Sequence, residues 1–349
     1  MSQTASLPTF AVSLHRLLQL TIVLIFAVRS ENDLSMSKSA HAPQSSQKFT
    51  SKSRTMPLRG LNSVGNGSPA GLVEAQPFLK WAGGKSQLLA QFDPFFPESI
   101  ASYCEPFVGG GAVFFHLKAR FPQMDVCLYD NNAELINCYQ VVRDQVKGLM
   151  QLLDEHLKAF QTAGERYFYL VRSRHDLTDP LERAARMIFL NKTCYNGLWR
   201  VNARGEFNVP IGSYKPEKVS LYDKSNLLGA SRELRRAQIA VQDFRHTLRA
   251  ATRGQFVYVD PPYVPLSPTS NFTSYTKEDF GKPEQEELAA LFADAARRGV
   301  CLMLSNSDTP LVSKLYGEFT IKTVSARRAL NSDGAKRGRV SEIIVLSAA

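Results

Sequence analysis

The sequence has no Cys-x-x-Cys pair, and its five cysteines (Cys104, Cys127, Cys138, Cys194 and Cys301) are odd in number. This argues against a disulfide framework and a cysteine-built zinc cage, and it fits a reducing compartment. Apolar runs long enough for a membrane span are also missing. Leu17 to Val28 (LLQLTIVLIFAV) has roughly the length of a signal-peptide core and falls short of the roughly 20 residues a transmembrane helix needs. No internal repeat is visible. Of the 349 residues, 44% are hydrophobic, 10% aromatic and 21% charged. Fibrous, collagen-like and fully disordered classes are thereby excluded, and the length suits two domains or one large one.

Charge is present, and unevenly so. Lys plus Arg outnumber Asp plus Glu by 42 to 32, for a formal charge of +10 and a pI near 9.4, which raises the prospect of an anionic partner. From Met1 to about Ala75 the chain is Ser-rich and short of acidic residues. There Arg16, Arg29, Lys38, Lys48, Lys52, Arg54 and Arg59 face only Glu31, Asp33 and Glu74. Without a sustained amphipathic period, residues 1–75 read as a disordered extension. The run over 17–28 is read as part of an extension outside the working protein and not as a signal peptide. Translation would then begin at Met36 or Met56. Export would strand the chemistry argued below outside the cell.

After Gln76 the texture is that of an α/β domain. The β-rich run Ser102–Val108 enters Gly109-Gly110-Gly111 and then a helical stretch from Ala112 to Ala119. A second strand, Asp125–Tyr129, ends at Asp130, 20 residues beyond Gly110, the spacing at which an acidic residue reaches ribose hydroxyls in dinucleotide folds. The third glycine of that fingerprint is absent, because Phe114 stands there. The pyrophosphate reading weakens, while a glycine turn close to a nucleoside without pyrophosphate stays open; a tight turn alone is the plainer alternative. Further strands are expected at Ile239–Gln242, Phe256–Val259, Val300–Leu304, Thr320–Val324 and Glu342–Leu346. A helix from Pro283 to Arg298 stops at Gly299. The strand rhythm is lost between about Tyr139 and Arg236, which points to an insert. It holds a helical stretch over Leu181–Leu190 and a Gly-punctuated hairpin over Asn191–Gly212.

Asp260-Pro261-Pro262-Tyr263 follows the strand Phe256–Val259. Its prolines remove two N–H donors and leave carbonyls that can only accept. A carboxylate, an accepting carbonyl and an aromatic face suit a planar ring bearing an exocyclic amine. Accepting those hydrogens would draw the nitrogen lone pair out of conjugation and make it more nucleophilic. A rigid Pro-Pro loop at a strand end is the simpler reading of these four residues taken alone.

Several ordered blocks together resemble the Dam-type DNA adenine-N6 methyltransferases of the D12 class. They are Phe78-Leu79-Lys80-Trp81-Ala82-Gly83-Gly84-Lys85, Glu105 to Gly111, Asn191 to Arg200, Arg204 to Pro210, Asp260 to Tyr263, Ser270 to Tyr275, and Arg327-Arg328 through Arg337 to Glu342. The resemblance implies an S-adenosylmethionine-dependent Rossmann-like catalytic domain over 76–140 and 237–349. Into it would be inserted a mainly helical target-recognition domain over 141–236 that carries a β-hairpin. It implies S-adenosylmethionine at Trp81, Lys85, Phe107, Gly109, Gly111, Asp130 and Asp260. A flipped adenine would lie at Asp260, Pro261, Pro262 and Tyr263, since N6 inside a duplex cannot line up with a sulfonium methyl.

By the same resemblance Arg200 reads guanine through O6 and N7, and Tyr195, Asn196 and Leu198 brace the base stack, although hairpin packing explains Tyr195 or Leu198 equally well singly. Arg204, Lys336 and Arg337 would bind phosphate, and Trp199 departs from the family pattern at a variable position. The implied protein is a monomeric, cytoplasmic, nucleoid-associated enzyme acting on double-stranded DNA, in GATC, without metal or stable membrane association. The absence of any Pro-Cys dipeptide argues against a cysteine nucleophile of the cytosine-C5 kind. Gly84-Lys85-Ser86 imitates the end of a P-loop, but Leu79 stands where its first glycine is required. Methylation of cytosine N4 or RNA, and a catalytically inactive DNA-binding homologue, are the alternatives.

Overall fold

The computed structural model describes residues 74–264, 280–327 and 339–347. The apolar run over 17–28, the Ser270–Tyr275 block, Arg328, Lys336 and Arg337 lie outside the described residues. Among the described residues the β-rich runs become one seven-stranded sheet of order β3-β2-β1-β4-β5-β7-β6. The strands are β1 (Ser102–Glu105), β2 (Asp125–Asp130), β3 (Gln238–Val241), β4 (Phe256–Val259), β5 (Cys301–Ser307), β6 (Thr320–Arg327) and β7 (Arg339–Leu346). The first five run parallel, and β7 lies antiparallel between β5 and β6. This is the Rossmann-like sheet expected of a methyltransferase.

β4 (Phe-Val-Tyr-Val) is buried at every position, as a parallel strand covered on both faces must be. Alternation divides its side chains between two apolar layers. Phe256 and Tyr258 join Tyr103 and Met303 on one face, and Val257 and Val259 join Leu302, Leu304 and Val345 on the other. β1 stops at Glu105, three residues before the sequence reading, because Pro106 has no N–H to continue the ladder. β6 and β7 run longer than read, since they pair as a hairpin out to Arg327 opposite Arg339.

Among the described residues the longer helices are α1 (Ala112–Arg120), α2 (Ala133–Ala163), α3 (Glu165–Ser173), α4 (Pro180–Thr193), α5 (Lys224–Leu234), α6 (Phe244–Ala250), α7 (Lys282–Arg297) and α8 (Pro310–Leu315). Side-chain caps start several of them: Asn132 accepts from the amides of Glu134 and Leu135, and Asp243 from that of Arg245. α2 leaves the sheet, kinks at Gln145 (φ −133°) and packs along α4 and α5. The residue 140/141 boundary therefore falls inside this helix, close to the kink. Ala75 is already buried, and Gln76 exchanges two hydrogen bonds with Asn226, of 2.7 and 3.1 Å. No helix among the described residues is long and apolar enough to cross a membrane.

Candidate functional site

Three neighbouring parallel strands end in carboxylic acids: Asp130 on β2, Glu105 on β1 and Asp260 just beyond β4. The strand order reverses between β1 and β4, and the carboxyl ends at such a switch point form the ligand crevice of an open α/β sheet.

The glycine turn after β1 is tied to Asp130, whose carboxylate accepts from the amides of Gly109 (3.2 Å) and Asn132 (3.0 Å). Burial raises the Asp130 carboxyl to about 6, against those backbone hydrogen bonds. Trp81 lies against the turn so closely that a Cβ on Gly109 (φ +47°) would stand 2.9 Å from its indole Cδ1. The Tyr139 hydroxyl donates to the Gly109 carbonyl at 3.1 Å. Phe107 stacks on Phe244, with centroids 5.5 Å apart and planes at 26°, and meets Phe280 edge-on. Glu105 is almost fully buried and accepts from the Tyr103 hydroxyl at 2.5 Å. Burial pushes its carboxyl up to about 8; the charges of Asp260 and Asp130 push the same way, and hydrogen bonds from Tyr103 and the Phe114 amide oppose them.

Both oxygens of Asp260 are engaged. Oδ1 accepts from Ser305 Oγ at 2.8 Å, and Oδ2 lies 2.7 Å from Lys85 Nζ. The buried Tyr258 hydroxyl backs Ser305 at 2.8 Å. Lys85 also donates to the Gly83 carbonyl at 2.5 Å and sits 4.7 Å from the centroid of Tyr263. Tyr263 donates its hydroxyl to Glu342 Oε2 at 2.9 Å. Burial raises the Glu342 carboxyl, with Lys85 and the Tyr263 hydroxyl opposing and Asp260 adding to the rise. The Pro262 carbonyl is taken by Gln285 Nε2 (2.8 Å), Gln285 Oε1 by Asn306 Nδ2 (3.1 Å), and the Val264 carbonyl by Ser307 Oγ (2.7 Å). Among the described residues no donor reaches the Pro261 carbonyl. Asp260 to Tyr263 is therefore a braced segment with acceptors to spare.

The hairpin begins at Cys194, because Asn191, Lys192 and Thr193 form the last turn of α4. Two isolated antiparallel bridges hold it, Cys194 with Ile211 and Val201 with Phe207. Tyr195 is 48% exposed, Asn196 adopts a left-handed φ of 54°, and Leu198 is half-buried against the core. Trp199, the departure from the family pattern, turns inward onto Phe207 with centroids 4.9 Å apart. Arg200 turns outward, held by its Nε on Asn208 Oδ1 at 2.7 Å, and Arg204 is exposed on the turn that Asn202 organises.

The structure thus gathers Trp81, Phe107, Gly109, Gly111 and Asp130 around one turn, and joins Lys85 to Asp260 and Tyr263. It also brings in residues the sequence reading did not single out: Ser305, Asn306, Gln285, Phe244 and Tyr139. A recognisable signal for the first two was an apolar strand ending in Ser305-Asn306-Ser307. No group of His, Cys, Asp and Glu among the described residues could hold a metal ion.

A family model described as D12 class N6 adenine-specific DNA methyltransferase matches residues 81–330. The type II methyltransferase M.MjaIII of Methanocaldococcus jannaschii is 43% identical over 291 residues, 79% of this chain and 100% of its own length. The type II methyltransferase M1.LlaDCHI of Lactococcus lactis subsp. cremoris is 41% identical over 78% of this chain and 95% of its own. The DNA adenine methylase of Escherichia coli K12 is 34% identical over 269 residues, 77% of this chain and 94% of its own.

Proposed function

The chain belongs to the D12 class of N6 adenine-specific DNA methyltransferases, and from that premise we propose that it transfers the methyl group of S-adenosylmethionine to N6 of an adenine flipped out of double-stranded DNA, within GATC. The observation that carries this reading is the Asp260–Tyr263 segment. Its carboxylate is held by Ser305 and Lys85, its Tyr263 ring is anchored through Glu342, and its Pro261 carbonyl has no donor among the described residues.

The residues around the glycine turn suit S-adenosylmethionine. Asp130 stands at the end of β2 to accept from ribose hydroxyls, Phe107 and Phe244 provide flat apolar faces, and the carboxylates of Asp130 and Asp260 suit a cationic sulfonium. When bound, the cofactor supplies an electrophilic methyl group. The chain's own part is to orient the acceptor. Asp260 and the Pro261 carbonyl accept the two N6 hydrogens, which localises the lone pair on nitrogen. Tyr263 stacks on the ring, and the prolines keep these groups from drifting. A carboxylate has lone pairs beyond those given to Ser305 and Lys85.

The segment over 141–236 serves as the target-recognition domain. On it Arg200 reads guanine and Tyr195, Asn196 and Leu198 brace the stack, while Arg204, Lys336 and Arg337 contact phosphate. The enzyme works as a monomer in the cytoplasm. The test is transfer of labelled methyl from S-adenosylmethionine to a GATC-containing duplex by the wild type and by Asp260→Ala. Incorporation at adenine N6 is expected from the wild type alone. No incorporation by the folded wild type, or equal incorporation by the variant, overturns the mechanism.

A further inference from the structure

The segment Phe78–Lys85 touches three parts of the site at once. Its Lys85 pairs with Asp260, its Trp81 lies against Gly109 and Gly110, and its Lys80 meets the hairpin. The last contact runs through one buried side chain. Asn191, 0% exposed at the end of α4, accepts from the Lys80 amide at 2.8 Å, donates to the Lys80 carbonyl at 2.7 Å, and donates to the Gly197 carbonyl at 3.0 Å. One carboxamide thus grips both backbone groups of the residue before Trp81 and the turn that carries Tyr195 and Asn196. Contact is tightest on the other side: a Cβ on Gly197 (φ +66°) would lie 2.6 Å from Lys80 Cδ and 2.7 Å from its Cβ.

We infer that Asn191 is a positioning residue that couples the cofactor turn to the DNA-reading hairpin, so that occupancy of either changes affinity at the other. This rests on the assignment of cofactor and DNA made above. Filling the glycine turn fixes Trp81; Trp81 carries the Lys80 backbone with it, and Asn191 passes that position to Gly197, because the three bonds, of 2.7 to 3.0 Å, meet on one fully buried carboxamide. Linkage makes the effect reciprocal. An asparagine that merely packed α4 would affect stability and leave the coupling unchanged.

The experiment measures the dissociation constant of S-adenosylhomocysteine with and without a GATC-containing oligonucleotide duplex, and that of the duplex with and without S-adenosylhomocysteine. The full chain is used as wild type, Asn191→Ser and Gly197→Ala, with folding checked by circular dichroism. The wild type is expected to show the same coupling factor in both directions, about fivefold or more. Each variant is expected to bring it close to one. Gly197→Ala strikes the junction from the hairpin side and decides the matter if Asn191→Ser does not fold. Unchanged coupling in a folded variant overturns the inference and leaves the functional assignment standing. Failure of the folded wild type to bind either ligand overturns both.

Discussion

The Asp260 carboxylate is held in a fixed orientation, since Ser305 Oγ holds one oxygen and Lys85 Nζ the other. Ser305 sits on the neighbouring strand, and its hydroxyl is fixed in turn by Tyr258. Ser305→Ala is therefore expected to lower kcat by about tenfold to a hundredfold with little change in cofactor affinity, as a small misplacement of a reacting group does; single-turnover kinetics beside equilibrium binding separate the two. Glu105 allows a different prediction. Its folded carboxyl is pushed up to about 8 by burial, whereas an unfolded chain releases that proton near pH 4 to 5. Between those values the folded state binds the extra proton, so stability is fullest at the acidic end and declines as pH rises toward 8. Glu105→Gln, which can still accept from Tyr103, is expected to flatten this decline. Urea midpoints from pH 5 to 8.5 check it, and a wild type that gained stability over that range would contradict it.

The hairpin after α4 is stabilised by its own small core more than by strand pairing, which is limited to two isolated bridges. Alternation sends Trp199 inward onto Phe207 and Arg200 outward. The two neighbours should therefore fail differently. Trp199→Ala removes a nearly buried indole and is expected to cost about 3 kcal/mol or more of stability, weakening binding to all duplexes alike, as read by thermal melting and fluorescence anisotropy. Arg200→Ala is expected to leave melting almost unchanged and to relax discrimination at one guanine by about 1–3 kcal/mol, read by competition with single-base variants of the site. Unchanged site preference would remove Arg200 from base reading. Most of this element was visible in the sequence as a glycine-punctuated stretch after a helix. Its starting residue was not, because the last turn of α4 is closed by bonds such as Cys194 amide to Leu190 carbonyl, which no local composition marks.

Across the whole molecule, the formal charge of +10 bears on encounter with DNA rather than on chemistry. If Lys336 contacts phosphate, Lys336→Ala should reduce the slope of log affinity against log salt by about 0.9 and weaken binding evenly across sequences. Titration of binding over a range of salt concentrations measures both. The strands, the glycine turn and Asp260-Pro261-Pro262-Tyr263 were legible along the chain because each depends on local rules: alternation, proline's missing donor, and glycine's freedom to take the positive φ found at Gly109 and Gly111. By themselves these determined the α/β class and, with the ordered blocks, the methyltransferase family. Only the tertiary structure decided what supports those residues. Pairing β5 with β4 brings Ser305 to Asp260, and laying β7 against β5 brings Glu342 to Tyr263, contacts between residues 45 and 79 apart in sequence. Folding α4 against the Phe78–Lys85 segment brings Asn191 to Lys80, 111 residues away. Such contacts arise from sheet order and helix docking, which are properties of the packed core and not of any stretch of neighbouring residues.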